Sequence, residues 1–339
     1  MNKNFNNNNG TNNNSNNNEF NFGGIVMMNG TITTKEAFVG TVKVAVETAL
    51  GAGYSVEIHE VLKNNDTRLT GLTIRGGESN VAPTIYLEGF FAKYKEGTTM
   101  TVICNNIIET YEAHKVNCNF DASSVTDFER AKKQICYKLI NADRNSELLA
   151  DAPHKIVCDD LAVIFYILVS QDFEGTATIT IRNNMMNIWG VDTDTLFALA
   201  LDNTQRLFRG SVKSMASVMM DMFSDRLDDE DAKEFYDMVV SEEDMIPMYV
   251  CTNVAKVNGA GVILYKDLLK EFADRTGADF YILPSSIHET LLIPVADNME
   301  LDYLTSMVRE VNATQVTPEE QLSDNVYIYH RATDSIELA

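Results

Sequence analysis

Long apolar runs are absent from this chain of 339 residues. None approaches the roughly 18 residues that a membrane-spanning helix needs. A secretory leader is missing too: residues 1–21 are mostly asparagine, and the nearby "GIVMM" is too short for the core of a signal peptide. A cytoplasmic location is therefore expected. Cysteine is sparse. Cys104, Cys118, Cys136, Cys158 and Cys251 are widely spaced with no CxxC pair, a pattern that fits reduced, packed thiols. Positive charge is also short, with 27 Lys and Arg against 49 Asp and Glu and a net charge of −22. Lys3 and Glu19 cancel in the first thirty residues, so the rest of the chain holds the whole excess. Such a body repels phosphate backbones, which argues against direct nucleic-acid binding. The excess serves solubility, or it docks on a basic partner.

The usual signatures of chemistry are missing as well. "YILPSSIHETLLIP" sets Ser285, Ser286, His288 and Glu289 between two apolar runs. It has no G-x-S-x-G elbow, and "HETLL" lacks the second histidine of a zinc-protease helix. Ser286 and His288, two apart on a strand, would share a face. Serines equally suit a tight corner, where their hydroxyls satisfy turn backbone, and the corner is the simpler reading. Asp159 and Asp160 form a carboxylate pair before an apolar run, with no partner in sight for a general-acid role. Asp228, Asp229, Glu230 and Asp231 lie in an acidic stretch without the glycine and ligand spacing of a calcium loop. They suit a helix start, where the dipole favours negative charge. His59, His114, His154, His288 and His330 never fall at ligand spacing, so no metal and no cofactor is expected. "RGGESN" and "NGAG" read as glycine turns, not phosphate loops. Lys132, Lys133 and Lys138 read as the exposed face of a helix.

What is present is strong secondary-structure patterning. Residues 1–30 read as a disordered Asn-rich tail, with a start near Met27 or Met28 as an alternative to Met1. Thr33 or Thr34 caps a helix with Phe38, Val42, Ala45 and Val46 at helical spacing. "YSVEIHEVL" and "RLTGLTIR" alternate as strands around "KNNDT". The periodicity predicts helices over 84–95, 99–114 and 125–141, the last with Phe128, Ala131, Ile135 and Leu139 on one face. "IVCDDLAVIFYILV" and "TATITIR" read as strands, followed by a helix capped by Asp192 or Thr193. "MIPMYVCTNVAKVNGAGVILY" predicts a hairpin turning at Asn258-Gly259. A helix over 266–276, a hairpin with its corner at 285–288, a helix over 300–311 and a final strand pair complete the pattern. Strand pairs separated by helices predict an α+β fold with largely antiparallel sheets. The expected lobes are 31–150 and 151–339, or one continuous domain over 31–339.

"IHEVLKNNDTRLTGLTIR", "APTIYLEGFFAKYKEG", "PHKIVCDDLAVIFYILV", "WGVDTDTLFALALDNTQRLF" and "MVREVNATQVTPEEQLSDNVYIYHR" carry a resemblance. From Lys35 to Leu338 the chain resembles an uncharacterised bacterial family of gut anaerobes, known as a domain of unknown function. More distantly it is similar to the YtpQ-type family. The resemblance implies no catalytic residues. It does imply an accessory role, because such proteins accompany phage-like and mobile elements. The expected function is binding, most simply of a basic protein surface by Asp228, Asp229, Glu230 and Asp231. One alternative is a hydrolase-like enzyme assembled from Ser286, His288, Glu289, Asp159 and Asp160. Another is a DNA mimic that blocks a host nucleic-acid enzyme.

Overall fold

Thr34 opens the first helix, its hydroxyl accepting a hydrogen bond from the Ala37 amide at 3.3 Å. In the computed structural model the described residues are 33–76, 82–115, 121–172, 175–223, 247–265, 267–284, 286–296 and 299–339. The expected tail over 1–30 and the acids at 228–231 lie outside them. The chain divides into two compact units, Met1–Val61 with Leu69–Phe120, and Leu62–Arg68 with Asp121–Ala339. Among the described residues no helix is long and apolar enough to cross a membrane.

The first unit packs α1 (Lys35–Leu50), α2 (Glu88–Lys95) and α3 (Met100–His114) with a three-stranded sheet, β1 (Tyr54–Leu62), β2 (Arg68–Gly76) and β3 (Thr84–Tyr86). Phe38, Val42 and Val46 of α1 meet Leu72 and Ile74 of β2 and Ile103 and Ile107 of α3 in its core. The helix expected over 84–95 starts only at Glu88. β-Branched Thr84 and Ile85 instead pair with Thr73 and Leu72 as β3, a tertiary contact that local periodicity does not register.

The second unit holds α4 (Ser123–Thr126), α5 (Phe128–Ala131), β4 (Ile135–Asn141), α6 (Ser146–Asp151), β5 (His154–Cys158), β6 (Leu161–Asp172) and β7 (Gly175–Thr180). The helix expected over 125–141 is therefore wrong. β4 is buried on both faces apart from half-buried Lys138, and such a strand reads as a continuous apolar run. Its Ile135 and Leu139 extend the helical spacing of Phe128 and Ala131 by coincidence. β4 pairs with one edge of β6, while β5 and then β7 share the other edge, all antiparallel.

After α7 (Asn183–Trp189), α8 (Thr193–Leu207) starts at Asp192, whose carboxylate accepts from the Thr195 amide at 2.8 Å. There follow β8 (Gly210–Ser214), α9 (Met215–Phe223), β9 (Tyr249–Asn253), α10 (Leu268–Thr276), β10 (Phe280–Leu283), β11 (Thr290–Pro294), α11 (Leu301–Thr314), β12 (Tyr327–His330) and β13 (Ser335–Leu338). Their strands form an antiparallel sheet of order β13-β12-β10-β11-β9-β8. One core runs from Tyr137, Val163 and Phe165 of the four-stranded sheet to Phe280, Leu292 and Tyr327 of the six-stranded sheet.

The hairpin expected at Asn258-Gly259 is not formed. β9 pairs with β8 and β11, and Gly259–Leu264 is a 3-10 segment. Gly259 is needed for close approach: a Cβ there would lie 2.1 Å from Thr252 Oγ1 and 2.3 Å from the His288 carbonyl oxygen. The α+β class with antiparallel sheets stands.

Candidate functional site

Cys158 and Leu161 pair across the β5–β6 hairpin, so Asp159 and Asp160 form its two-residue corner. The two acids have different fates. Asp159 is exposed, with a left-handed φ of 33° that suits a short polar side chain. Asp160 turns inward. Its Oδ2 accepts from Asn141 Nδ2 at 3.0 Å, Ser323 Oγ at 2.7 Å and Asn325 Nδ2 at 3.1 Å, and its Oδ1 accepts from the Tyr327 hydroxyl. Burial, and then the bond to Asp160, push the Tyr327 phenol well above its ordinary pKa, so it stays a donor.

The bonds around Asp160 extend into a larger network. Asn141 Oδ1 accepts from the Arg144 amide at 3.0 Å, and the Arg144 guanidinium reaches Gln321 Oε1 at 3.1 Å and the Asp324 carboxylate. Asn145 donates to the Asn141 carbonyl at 2.7 Å and to Asn65 Oδ1 at 3.0 Å, and accepts from the Asn65 amide at 2.8 Å. Asn65 Nδ2 donates to the carbonyls of Pro318 and Gln321, both at 2.7 Å. Asp66 accepts from the Glu147 amide at 3.0 Å, at the start of α6. Asn312 Nδ2 closes the network on the Ser323 carbonyl at 2.9 Å and on Asp324 Oδ1 at 2.7 Å. Four chain corners, near 65, 143, 160 and 322, are thereby fastened together. Each bond is worth only about 1 kcal/mol net, but an orphaned buried member costs more. With four donors on its two oxygens, Asp160 is an anchor of the fold, and general-acid work would require it to release them.

Sequence reasoning singled out Asp160 and missed its partners. "NND" reads as part of a polar turn, and "NADRN" and "LSDN" carry no motif that singles them out. Their recurrence was the signal available, and it does not say which turns meet.

The Ser286 corner is built differently. Ser286 Oγ accepts from the His288 amide at 3.0 Å, and the His288 carbonyl accepts from Thr252 Oγ1 at 2.7 Å. His288 Nδ1 accepts from the Asn258 amide at 3.3 Å, which leaves the proton on Nε2, 3.6 Å from Glu320 Oε1. Among the described residues no hydrogen bond joins Ser286 Oγ to the His288 ring. Glu289 is exposed, and Ser285 lies outside the described residues. Both candidate groups touch one segment, Ser286 by a β-bridge to Gln321 and Asp160 through Ser323. They do not share a reaction centre.

Burial raises the thiols of Cys136 and Cys158 to about 11 and those of Cys104 and Cys251 to about 12, so all four stay protonated and poorly nucleophilic. Cys118 lies outside the described residues. Among the described residues no three His, Cys, Asp or Glu side chains are grouped to hold a metal. Lys138, expected on an exposed helix face, is half-buried on β4. Burial and then the neighbouring Lys63 lower its ammonium pKa to about 8.

No curated protein and no solved structure matches the chain. Residues 35–331 do match a family model, and the chain belongs to that family of unknown function, DUF5688.

Proposed function

We propose that this protein works in the cytoplasm by binding, and that its partner is a basic protein surface. The observation behind this reading is charge. The net charge is −22, and residues 225–244 hold ten carboxylates against only Arg226 and Lys233. Within that stretch Asp228, Asp229, Glu230 and Asp231 are the docking acids. A field of this sign speeds encounter with a positive surface and turns away bare nucleic acid. The binding reading also draws support from the side chains that looked reactive. Asp160 and Ser286 are engaged by the fold, and the four described thiols stay protonated. An accessory factor of a mobile element is one role such a binder would fill. The test is affinity capture of the full chain from native cytosol at low salt, with mass spectrometry of what elutes as salt rises. A basic protein released by salt supports the reading, whereas capture of only acidic or neutral proteins contradicts it.

A further inference from the structure

Lys35, Lys132, Lys155 and Lys213 each hold a carboxylate within 3.0 Å. Lys138 is different. It stands in the middle of β4, where every other residue is buried. Residues two apart on a strand share a face, so Cys136 and Ile140 flank it, and Ile164 of β6 lies directly opposite. All three neighbours are buried. Among the described residues the Lys138 ammonium makes no hydrogen bond and no ion pair. The charge that acts on it is a second cation, Lys63 of the same unit, just before the turn Asn64–Asp66 that packs on β4. Apolar neighbours and a like charge both favour the neutral amine over the ammonium. With its pKa lowered to about 8, Lys138 offers about 300-fold more free amine at pH 7 than an ordinary lysine. The fold gains nothing from this amine, and a group that works against stability is expected where function needs it.

We propose that Lys138 is a modification site for carbon dioxide, converted reversibly to a carbamate. The lone pair of the neutral amine attacks the carbon atom. An N–C bond forms as one C=O π pair moves onto oxygen, and the nitrogen releases a proton to water. One amine and one carbon dioxide thus give one carbamate and one proton, with nothing oxidised or reduced. Two observations select carbon dioxide among carbonyl electrophiles. Lys138 is half-buried between buried Cys136, Ile140 and Ile164, which admits a small apolar electrophile more readily than a bulky one. The neighbouring charge then decides the product. Lys63 opposes an ammonium or a protonated imine at this position, but it attracts the carbamate anion. The reaction turns a like-charge pair into one of opposite sign. The site does not involve the acidic docking stretch, so either proposal can fail alone.

The test equilibrates the full chain with isotopically labelled carbon dioxide at pH 7. Carbamates are trapped as ethyl esters with triethyloxonium and mapped by mass spectrometry of the peptides. Lys138 should be the main trapped lysine, with every other lysine below about a tenth of its level. The chain's α-amine also forms carbamates, and it is read separately in the N-terminal peptide. Lys138→Arg keeps the positive charge but cannot form the carbamate, so the trapped lysine signal should vanish. Lys63→Gln should lower the occupancy of Lys138 at least about threefold, since the anion loses its neighbouring cation. If Lys138→Arg fails to fold, the wild-type map decides alone. Trapping only at the N-terminus, or equally over several lysines, overturns the proposal. Unchanged occupancy in Lys63→Gln overturns the part given to Lys63, and with it the choice of carbon dioxide over an aldehyde.

Discussion

Removing the Asp160 carboxylate tests whether it anchors the fold. In Asp160→Ala four donors lose their acceptor, and three belong to buried residues, Asn141, Ser323 and Tyr327. An orphaned buried donor costs about 1–3 kcal/mol. Three would cost up to about 9 kcal/mol if nothing relaxed. Relief is available, because the Tyr327 hydroxyl lies 3.2 Å from Ser323 Oγ and can donate there instead. Asp160 is itself only half-buried, so water can reach the space its carboxylate leaves. The expected loss is therefore about 3 kcal/mol, a large part of the 5–15 kcal/mol that holds a typical domain. Asp159→Asn is the control: it is one residue away, exposed and without these bonds, and asparagine tolerates the left-handed φ of this position, so about 1 kcal/mol or less is expected. Urea unfolding of both variants, followed by far-UV circular dichroism, makes the comparison. A loss below about 1 kcal/mol in Asp160→Ala, or equal losses in the two variants, would refute the anchor.

Lys138→Met should stabilise the protein at pH 7. The lysine must keep its charge in an apolar setting, and a drop from about 10.5 to about 8 corresponds to roughly 3 kcal/mol before relaxation. Between those values the unfolded chain binds more protons, so wild-type stability should rise with pH and the advantage of the variant should shrink. Chemical denaturation at pH 7 and pH 10 reads both effects, and a gap that does not narrow would count against them. His330 gives the opposite sign. Its two ring nitrogens face Asp279 and Glu337, which raise its pKa. Its contribution is therefore complete below about 6.5, the unfolded value, and fades as pH rises through the higher folded value. The melting temperature of His330→Gln should thus fall furthest below wild type in mild acid and approach it in mild alkali. Gly259→Ala should lose about 3 kcal/mol, since its Cβ would press on the His288 carbonyl oxygen, which cannot rotate away. A melt within a degree of wild type would show that the contact relaxes.

Local signals were legible where one element decides its own form. Thr34 and Asp192 cap α1 and α8 through their own side chains, and the β10–β11 and β12–β13 pairs join neighbours in sequence. The misreadings have a common cause, contacts distant in the chain. β3 and β4 are strands because β2 and β6 receive them. Gly259 sits where it does because of Thr252 and His288, not because of a turn of its own. The Asp160 network was illegible for the same reason. Asn65 meets Gln321 across 256 positions and Asp160 meets Tyr327 across 167, and no spacing rule links polar turns so far apart.

Association kinetics of the captured partner test the central claim most directly, measured at low and high salt with wild type and with Asp228, Asp229 and Asp231 reversed to lysine. Screening over about 8 Å at physiological ionic strength weakens an exposed charge pairing. The account predicts an association rate that falls steeply with salt in wild type. In the reversed protein it should be slow at both salts, with the thermal melt unchanged. A rate indifferent to salt, or a charge-reversed protein that associates as fast as wild type, would contradict it.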